Sequence, residues 1–144
     1  MPSVTPGDEA SGLIVIDASV LVAIVASSAV TTAGIAARIG DSALHAPAIL
    51  PAEVDSALRG LERGGRLSPV HASAARAQAH RMPVELWPWE LLADRAWELR
   101  QNLTTYDAGY VALAERLGAT LLTGDARLAA APGSRCEIEV VALG

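Results

Sequence analysis

Short apolar runs alternate with longer segments of helical periodicity along the 144-residue chain. The apolar runs have the length and composition of buried strands, and they are "LIVI" (13–16), "ALHA" (43–46), "VELW" (84–87), "ATLLTGD" (119–125) and "EIEVVAL" (137–143). The segments between them predict helices over 18–39 (continuous, or restarted near residue 29), 51–63, 69–82, 90–102, 104–118 and 126–130. Because strands alternate with helices, we predict an α/β fold whose mainly parallel sheet is covered by helices on both faces.

The composition is that of one domain with few aromatic residues. Apolar residues make up 51% of the chain but aromatic residues only 3%, and Phe is absent, so Ala, Val, Leu and Ile must build the core. We predict a flexible leader over residues 1–11 and a single domain over 12–144. The net charge of -5 gives no sign of a basic patch for nucleic acid. The single cysteine, Cys136, excludes an internal disulfide and fits a reducing cytoplasm.

The segment "LIVIDASVLVAIVA" (13–26) is apolar except for Asp17 and Ser19. With the residues that follow, it reaches about the minimum length of a membrane span. However, an aspartate at the centre of a span would cost roughly 2.5–3.5 kcal/mol, and no basic residue flanks the segment. We therefore predict a core strand that ends at Asp17 and continues into a helix, with no membrane association.

Four carboxylates fall where a lone charge is expensive. Asp17 and Asp125 each follow a predicted strand, and the carboxyl ends of parallel strands are where ligands bind in such sheets. Glu53 and Asp107 lie in the first turn of a predicted helix, on or beside its apolar side. Helix capping and interaction with the helix dipole are the alternative roles for these acids.

Converging carboxylates repel each other unless a cation joins them. The chain has no cysteine cluster or histidine pair at ligand spacing, which argues against zinc. An all-oxygen site suits Mg²⁺ or Mn²⁺, which can lower the pKa of a bound water for attack on phosphorus. Ser19 and Thr123 each lie two residues from one of the acids, so their hydroxyls could hold a carboxylate or a water.

Three further predictions concern residues outside this acidic set. Asp55 lies four residues before Arg59 and is expected to pair with it on the surface of a helix. The tryptophans are expected to anchor the core, with stacking on RNA bases as the alternative for one of them; they are Trp87, Trp89 and Trp97. Glu115 is expected on a solvated surface.

Other phosphate chemistries require a lysine, and this chain has none. Receiver domains and haloacid-dehalogenase-like phosphatases also cluster aspartates at strand ends, but they normally pair the phosphoryl group with a lysine. A P-loop needs one as well. These classes are therefore disfavoured.

The ordered acids and their surroundings resemble a PIN-domain ribonuclease, specifically the VapC toxins of bacterial type II toxin–antitoxin pairs. The matching segments are "IVIDASVLVA", "HAPAILPAEVDSALRGLERGG", "LTTYDAGYVALAERLGATLLTGDARLA" and "EIEVV". The resemblance implies a three-layer α/β/α sandwich with a central, mainly parallel sheet. It places the family's four catalytic acids on Asp17, Glu53, Asp107 and Asp125, and the supporting hydroxyls on Ser19 and Thr123.

The resemblance also implies an activity, a cofactor and partners. We expect a cytoplasmic, Mg²⁺-dependent endoribonuclease (with Mn²⁺ as a substitute) that cleaves RNA, with Asp17, Asp107 and Asp125 as metal ligands and Glu53 binding directly or through water. The family further implies a homodimer and a cognate VapB-like antitoxin that covers the active site, with DNA bound only through that antitoxin. The alternative is a catalytically silent PIN fold that binds RNA or protein.

Overall fold

A five-stranded parallel sheet forms the centre of the structure, a computed structural model that describes residues 12–144. The predicted leader, residues 1–11, lies outside the described residues. The strands follow the order β3-β2-β1-β4-β5 across the sheet, and their bounds are β1 Leu13–Ile16, β2 Ala43–Pro47, β3 Val84–Trp87, β4 Thr120–Thr123 and β5 Ile138–Val140. The central strands β1 and β4 are buried after their first residue, as expected for a sheet covered on both faces.

Helices cover the sheet and complete the predicted three-layer α/β/α sandwich. Their bounds are α1 Ala18–Ala26, α2 Ala29–Ile39, α3 Leu50–Arg63, α4 Pro69–Arg81, α5 Ala93–Glu98, α6 Thr105–Leu117 and α7 Ala126–Ala130, with a 3₁₀ turn at Trp89–Leu91. Helices α1, α3 and α4 pack on one another, while α5 packs on α6, which lies against β1, β2 and β4. Within residues 12–144, no helix has the length and apolar character needed to cross a membrane.

Local signals in the sequence set most helix ends. Ser28, Ser68 and Thr104 cap α2, α4 and α6 by accepting a backbone N–H bond three residues on. Gly118 ends α6 in the left-handed conformation, with φ of 62°. The two serines at 27 and 28 divide the predicted 18–39 segment into α1 and α2, so the helix restarts rather than continues.

The predicted helix over 90–102 is confirmed only at its centre, and its bounds are wrong. The segment instead forms the 3₁₀ turn, the short helix α5 and a series of turns. The backbone N–H of Leu92 donates to the carbonyl of Trp89 at 2.8 Å, three residues back, and Leu92 and Leu99 are both buried. The acids of this segment, Glu90, Asp94 and Glu98, are all exposed, so its polar face is kept although the helix itself is interrupted.

Trp97 is not a core residue, because 68% of it is exposed. Helix α5 turns Ala96 and Leu99 inward, which leaves Trp97 on the outer side, where the Arg100 guanidinium lies 4.5 Å from its ring. Trp87 and Trp89 do pack against the core, as predicted.

The expected pairing of Asp55 with Arg59 is also corrected. Asp55 instead bonds Arg76 at 3.0 Å and His80 at 2.7 Å. Both partners lie on α4, which packs along α3, so the carboxylate joins two helices where the sequence suggested a pair within one helix. The packing of α4 against α3 places Arg76 and His80 within bonding distance of Asp55, and they take the place expected for Arg59.

Glu115 is not a solvated surface acid; it joins α6 to α5 and to the loop before β5. Its side chain is only 12% exposed, and it accepts bonds from Arg95 Nε at 2.7 Å, Arg95 Nη2 at 3.0 Å and the Arg135 backbone N–H at 2.7 Å. Burial raises the pKa of Glu115, but the bonds from Arg95 and Arg135 outweigh burial and lower it below its usual value.

Replacing Glu115 with Gln should lower the free energy of unfolding by about 2 kcal/mol, because the charge-assisted bonds of a largely buried carboxylate are lost. A depressed pKa stabilises the fold above the pKa of the unfolded state, near 4.5, and the stabilisation is lost as the pH falls through the folded value. The gap between wild type and E115Q, measured by denaturant unfolding, should therefore be constant from pH 7 to 5.5 and shrink below pH 4.5.

The matched control is Glu98→Gln, since Glu98 bonds the same Arg95 at 3.0 Å but is 62% exposed. It should lose less than about 0.5 kcal/mol. Equal losses for the two variants, or a gap that does not change with pH, would contradict the role given to Glu115.

Candidate active site

Asp17 lies at the carboxyl end of β1 and is held by donors from both sides of the β1–β4 junction. Its Oδ1 accepts from Ser19 Oγ at 2.5 Å and from the Val20 N–H at 3.1 Å, which makes it the N-cap of α1. Its Oδ2 accepts from Thr123 Oγ1 at 2.5 Å, at the end of β4. The Gly124 N–H donates to Ser19 Oγ at 3.0 Å. Asp17 is 9% exposed, so these bonds fix a nearly buried carboxylate.

Glu53 lies in the first turn of α3 and is bound by a tyrosine from the other helix layer. The Tyr110 hydroxyl donates to Glu53 Oε1 at 2.7 Å, and Tyr110 itself is 1% exposed. Burial raises the pKa of Glu53, the Tyr110 bond partly opposes this, and the charges of Asp107 and Asp17 add to the rise. Glu53 is therefore a carboxylate whose ionisation is disfavoured by its surroundings.

Asp107 lies in the first turn of α6, beside the Thr104 cap. Its backbone N–H donates to Thr104 Oγ1 at 3.2 Å. Burial raises the pKa of Asp107; contact with Thr104 lowers it, and the charges of Asp125 and Asp17 raise it further. Like Glu53, this acid lacks a positive charge sufficient to offset its burial.

Asp125 follows β4 and caps α7. Its Oδ1 accepts from the Arg127 N–H at 2.9 Å and from Arg127 Nε at 3.3 Å, while Oδ2 accepts from Nη2 at 3.4 Å. Hydrogen bonds from the Arg127 side chain lower the pKa of Asp125. The Asp125 N–H donates to Thr123 Oγ1 at 3.1 Å, so the same threonine hydroxyl links the backbone of Asp125 to the carboxylate of Asp17.

The structure brings all four acids together at the carboxyl edge of the sheet. The negative charges of Asp17 and Asp107 act on Glu53, and those of Asp17 and Asp125 act on Asp107. As their side chains are placed, no three His, Cys, Asp or Glu residues in the described part of the chain form a group that could hold a metal ion.

The donor set nevertheless fits Mg²⁺ or Mn²⁺. The predicted ligands are all carboxylates, and Mg²⁺ in proteins keeps several waters and takes only one or two carboxylates directly. Burial is the main reason that the pKa values of Glu53 and Asp107 are raised, and the negative charges of the neighbouring acids add to the rise. A cavity of about 490 Å³, lined by Glu53 with Ala18 and Tyr106, provides open space beside Glu53.

The sequence did not reveal the roles of Tyr110 and Arg127. Tyr110 lies three residues after Asp107, one helical turn away on the same face of α6. That spacing could have suggested that Tyr110 contacts the site, but not that its hydroxyl binds Glu53. Arg127, two residues after Asp125, is within reach of the carboxylate it pairs with.

Comparison with known proteins identifies the family to which this fold belongs. The PIN domain family model matches residues 14–134. Ribonuclease VapC1 of Mycobacterium tuberculosis is 40% identical over 128 residues, which cover 88% of this chain and 96% of that protein. Ribonuclease VapC9 of the same species is 38% identical over 129 residues, which cover 90% and 98%.

Solved structures agree on the architecture. A Pyrobaculum aerophilum protein superposes with a TM-score of 0.66 at 25% identity, covering 90% of this chain and 85% of that protein. VapBC2 of Rickettsia felis, solved with a DNA fragment from its promoter, superposes with a TM-score of 0.63 at 12% identity, covering 90% and 99%. The match to the latter concerns the fold alone.

The fold is thus that of a PIN domain, the class that the resemblance implied. The chain belongs to the PIN-domain family, among the VapC ribonucleases.

Replacing Tyr110 with Phe should raise the pKa of Glu53 further, because the hydroxyl bond that now lowers it is lost. The free energy of unfolding should fall by about 1 kcal/mol. NMR titration of the Glu53 carboxyl and denaturant unfolding measure the two effects. Tyr106→Phe is the control, since Tyr106 is 55% exposed, and it should change neither quantity. A Glu53 pKa that stays the same in Y110F would contradict the assigned bond.

Proposed function

We propose that this protein is a metal-dependent endoribonuclease that acts as the toxin of a VapBC-type toxin–antitoxin pair. The observation that carries the proposal is the convergence of four acids at the carboxyl edge of a PIN-domain sheet; they are Asp17, Glu53, Asp107 and Asp125. Relatives that are 38–40% identical over nearly their whole length are named ribonucleases. The reaction is hydrolysis of an RNA phosphodiester bond by water.

Asp17, Asp107 and Asp125 would hold Mg²⁺ or Mn²⁺, with Glu53 binding directly or through water. When bound, the ion supplies charge for the phosphate and lowers the pKa of the attacking water. A cation would also offset the repulsion between the acidic site and the RNA phosphates, because a chain with a net charge of -5 has to bind a polyanion at its most acidic point.

The chain's own residues orient these ligands. Ser19 and Thr123 hold one oxygen each of Asp17, so the direction of that carboxylate is set before any ligand arrives. Tyr110 occupies Oε1 of Glu53, which leaves Oε2 for the ion or for a water. Because these hydrogen bonds already order the carboxylates, less conformational entropy is lost when an ion binds.

The proposed partners follow from the family. A VapB-like antitoxin is expected to cover the acidic site, and DNA is expected to bind only through that antitoxin; the Rickettsia felis relative was solved as a VapBC complex with promoter DNA. We also propose that the protein is a homodimer, meets its RNA substrate in the cytoplasm and does not associate with membranes.

A catalytically silent PIN domain that binds RNA or protein is the second candidate. It would keep the fold and the hydrogen bonds around Asp17, since these also stabilise the junction of β1 with β4. Ion binding and RNA cleavage separate the candidates. The nuclease must bind a divalent ion and also cleave RNA, whereas the silent domain leaves RNA intact.

Mg²⁺ or Mn²⁺ should raise the melting temperature of the wild type. At tenfold excess over its dissociation constant, an ion that binds only the folded state adds about 1.4 kcal/mol. The double variant Asp17→Asn plus Asp107→Asn should lose this rise, whereas Asp94→Asn, an exposed acid on α5, should keep it. Differential scanning calorimetry with and without the ion measures the effect. An equal rise in the double variant would contradict the assignment of Asp17 and Asp107 as metal ligands.

Purified wild type should cut total bacterial RNA at specific positions in Mg²⁺, and Asp107→Asn should reduce the rate at least about 100-fold, since charge-stabilising groups are worth that much in other active sites. Sequencing of RNA ends maps the cuts, and chelation by EDTA should abolish them. Intact RNA after incubation with folded, Mn²⁺-binding wild type would favour the silent module.

A further inference from the structure

Arg127 is the arginine that the structure pairs with an acid of the proposed metal site. Its Nε and Nη2 donate to the two oxygens of Asp125 at 3.3 and 3.4 Å. The other arginine–carboxylate pairs within residues 12–144 involve acids outside the four-acid set: Glu139 with Arg38, Asp55 with Arg76, and Glu98 and Glu115 with Arg95. A cation therefore already contacts a carboxylate to which we assign a metal ion.

The pair is held loosely. The Arg127 side chain is 93% exposed and the Asp125 side chain 37% exposed. Both guanidinium bonds are longer than the 2.7–2.9 Å usual for charge-assisted bonds. By contrast, the backbone N–H of Arg127 donates to Asp125 Oδ1 at 2.9 Å and caps α7 without help from the side chain. The guanidinium can therefore leave while the carboxylate and the helix stay in place.

Both oxygens of Asp125 face donors from Arg127, so a divalent ion at Asp125 would compete with that guanidinium. Two cations beside one carboxylate also repel each other, and the guanidinium is the mobile one of the two. Its charge acts beyond Asp125 as well. Burial raises the pKa of Asp107, and Arg127 is close enough to act against that rise. A released Arg127 would thus stay at the edge of the acidic site.

We propose that Arg127 exchanges partners during the reaction: it leaves Asp125 to the divalent ion and binds a phosphate of the RNA next to the cleaved bond. A guanidinium suits this role because it remains charged and binds phosphate through two parallel N–H bonds. The inference rests on the proposed nuclease function and adds to it a substrate-binding residue outside the four acids.

The exchange predicts opposite effects from one substitution. In Arg127→Gln, the ion no longer competes with a cation, so its affinity should rise about two- to fivefold, the range that exposed ion pairs of this kind contribute. At the same time the RNA loses a phosphate contact. KM should rise about fivefold, and the slope of log(1/KM) against log salt should fall in magnitude by roughly 0.7, the value for one phosphate of a single strand.

Isothermal titration of the protein with Mn²⁺ measures the first effect without any turnover. Steady-state cleavage of an RNA oligonucleotide that carries a mapped cut site, in Mg²⁺ at several salt concentrations, measures the second. Arg81→Gln is the matched control. It removes the same charge from an exposed arginine at the end of α4, beside the amino end of β3 and so at the opposite edge of the sheet. Both quantities should stay within twofold of the wild type in R81Q.

The other outcomes overturn the proposal. If R127Q binds Mn²⁺ more weakly and also has a higher KM, Arg127 only positions Asp125. If neither quantity changes, the pair is a surface contact. A wild type that cleaves no RNA contradicts the nuclease function itself, and the Mn²⁺ titration of R127Q then still decides whether Arg127 competes with the ion.

Discussion

The constraint on which the site depends is the placement of negative charge at the end of a buried parallel sheet. β1 and β4 are neighbours; Asp17 follows β1 directly, and Asp125 follows β4 after Gly124. Asp17 is almost fully buried there, and an ionised carboxylate tolerates burial only if donors surround it. Thr123 and Ser19 supply those donors, so the bond that stabilises the junction of the two strands also directs the first acid of the site.

The remaining acids are compensated in different degrees, and this difference gives the site its chemistry. Asp125 accepts hydrogen bonds from the charged Arg127, whereas Glu53 accepts one from the neutral Tyr110 hydroxyl. Asp107 interacts mainly with Thr104 in its own helix turn. The two carboxylates with the least compensation are those whose pKa values burial raises. Under the proposed function, the negative charge that remains uncompensated would attract a divalent ion and, through it, the phosphate.

Elements with strong local signals were predicted well. The spans of β1, β3 and α7 agree with the sequence patterns, since apolar runs, proline and an Asp cap define their ends locally. The bounds of the helix predicted over 90–102 were wrong, because the buried Leu92 and Leu99 lie outside the regular helix at either end of α5. Trp97 shows the same limit: residue type favoured the core, yet the local turn placed it outside.

The sequence by itself determined the alternation of strands and helices and the positions of the four acids at strand ends and first helix turns. These features follow from periodicity and capping, which act over a few residues. Only the tertiary structure decided the partners of the charged groups. Thr123 reaches Asp17 across 106 residues and Tyr110 reaches Glu53 across 57. Asp55 and Glu115 likewise form ion pairs with arginines on other helices. Such contacts depend on how the layers pack, and no spacing along the chain encodes that.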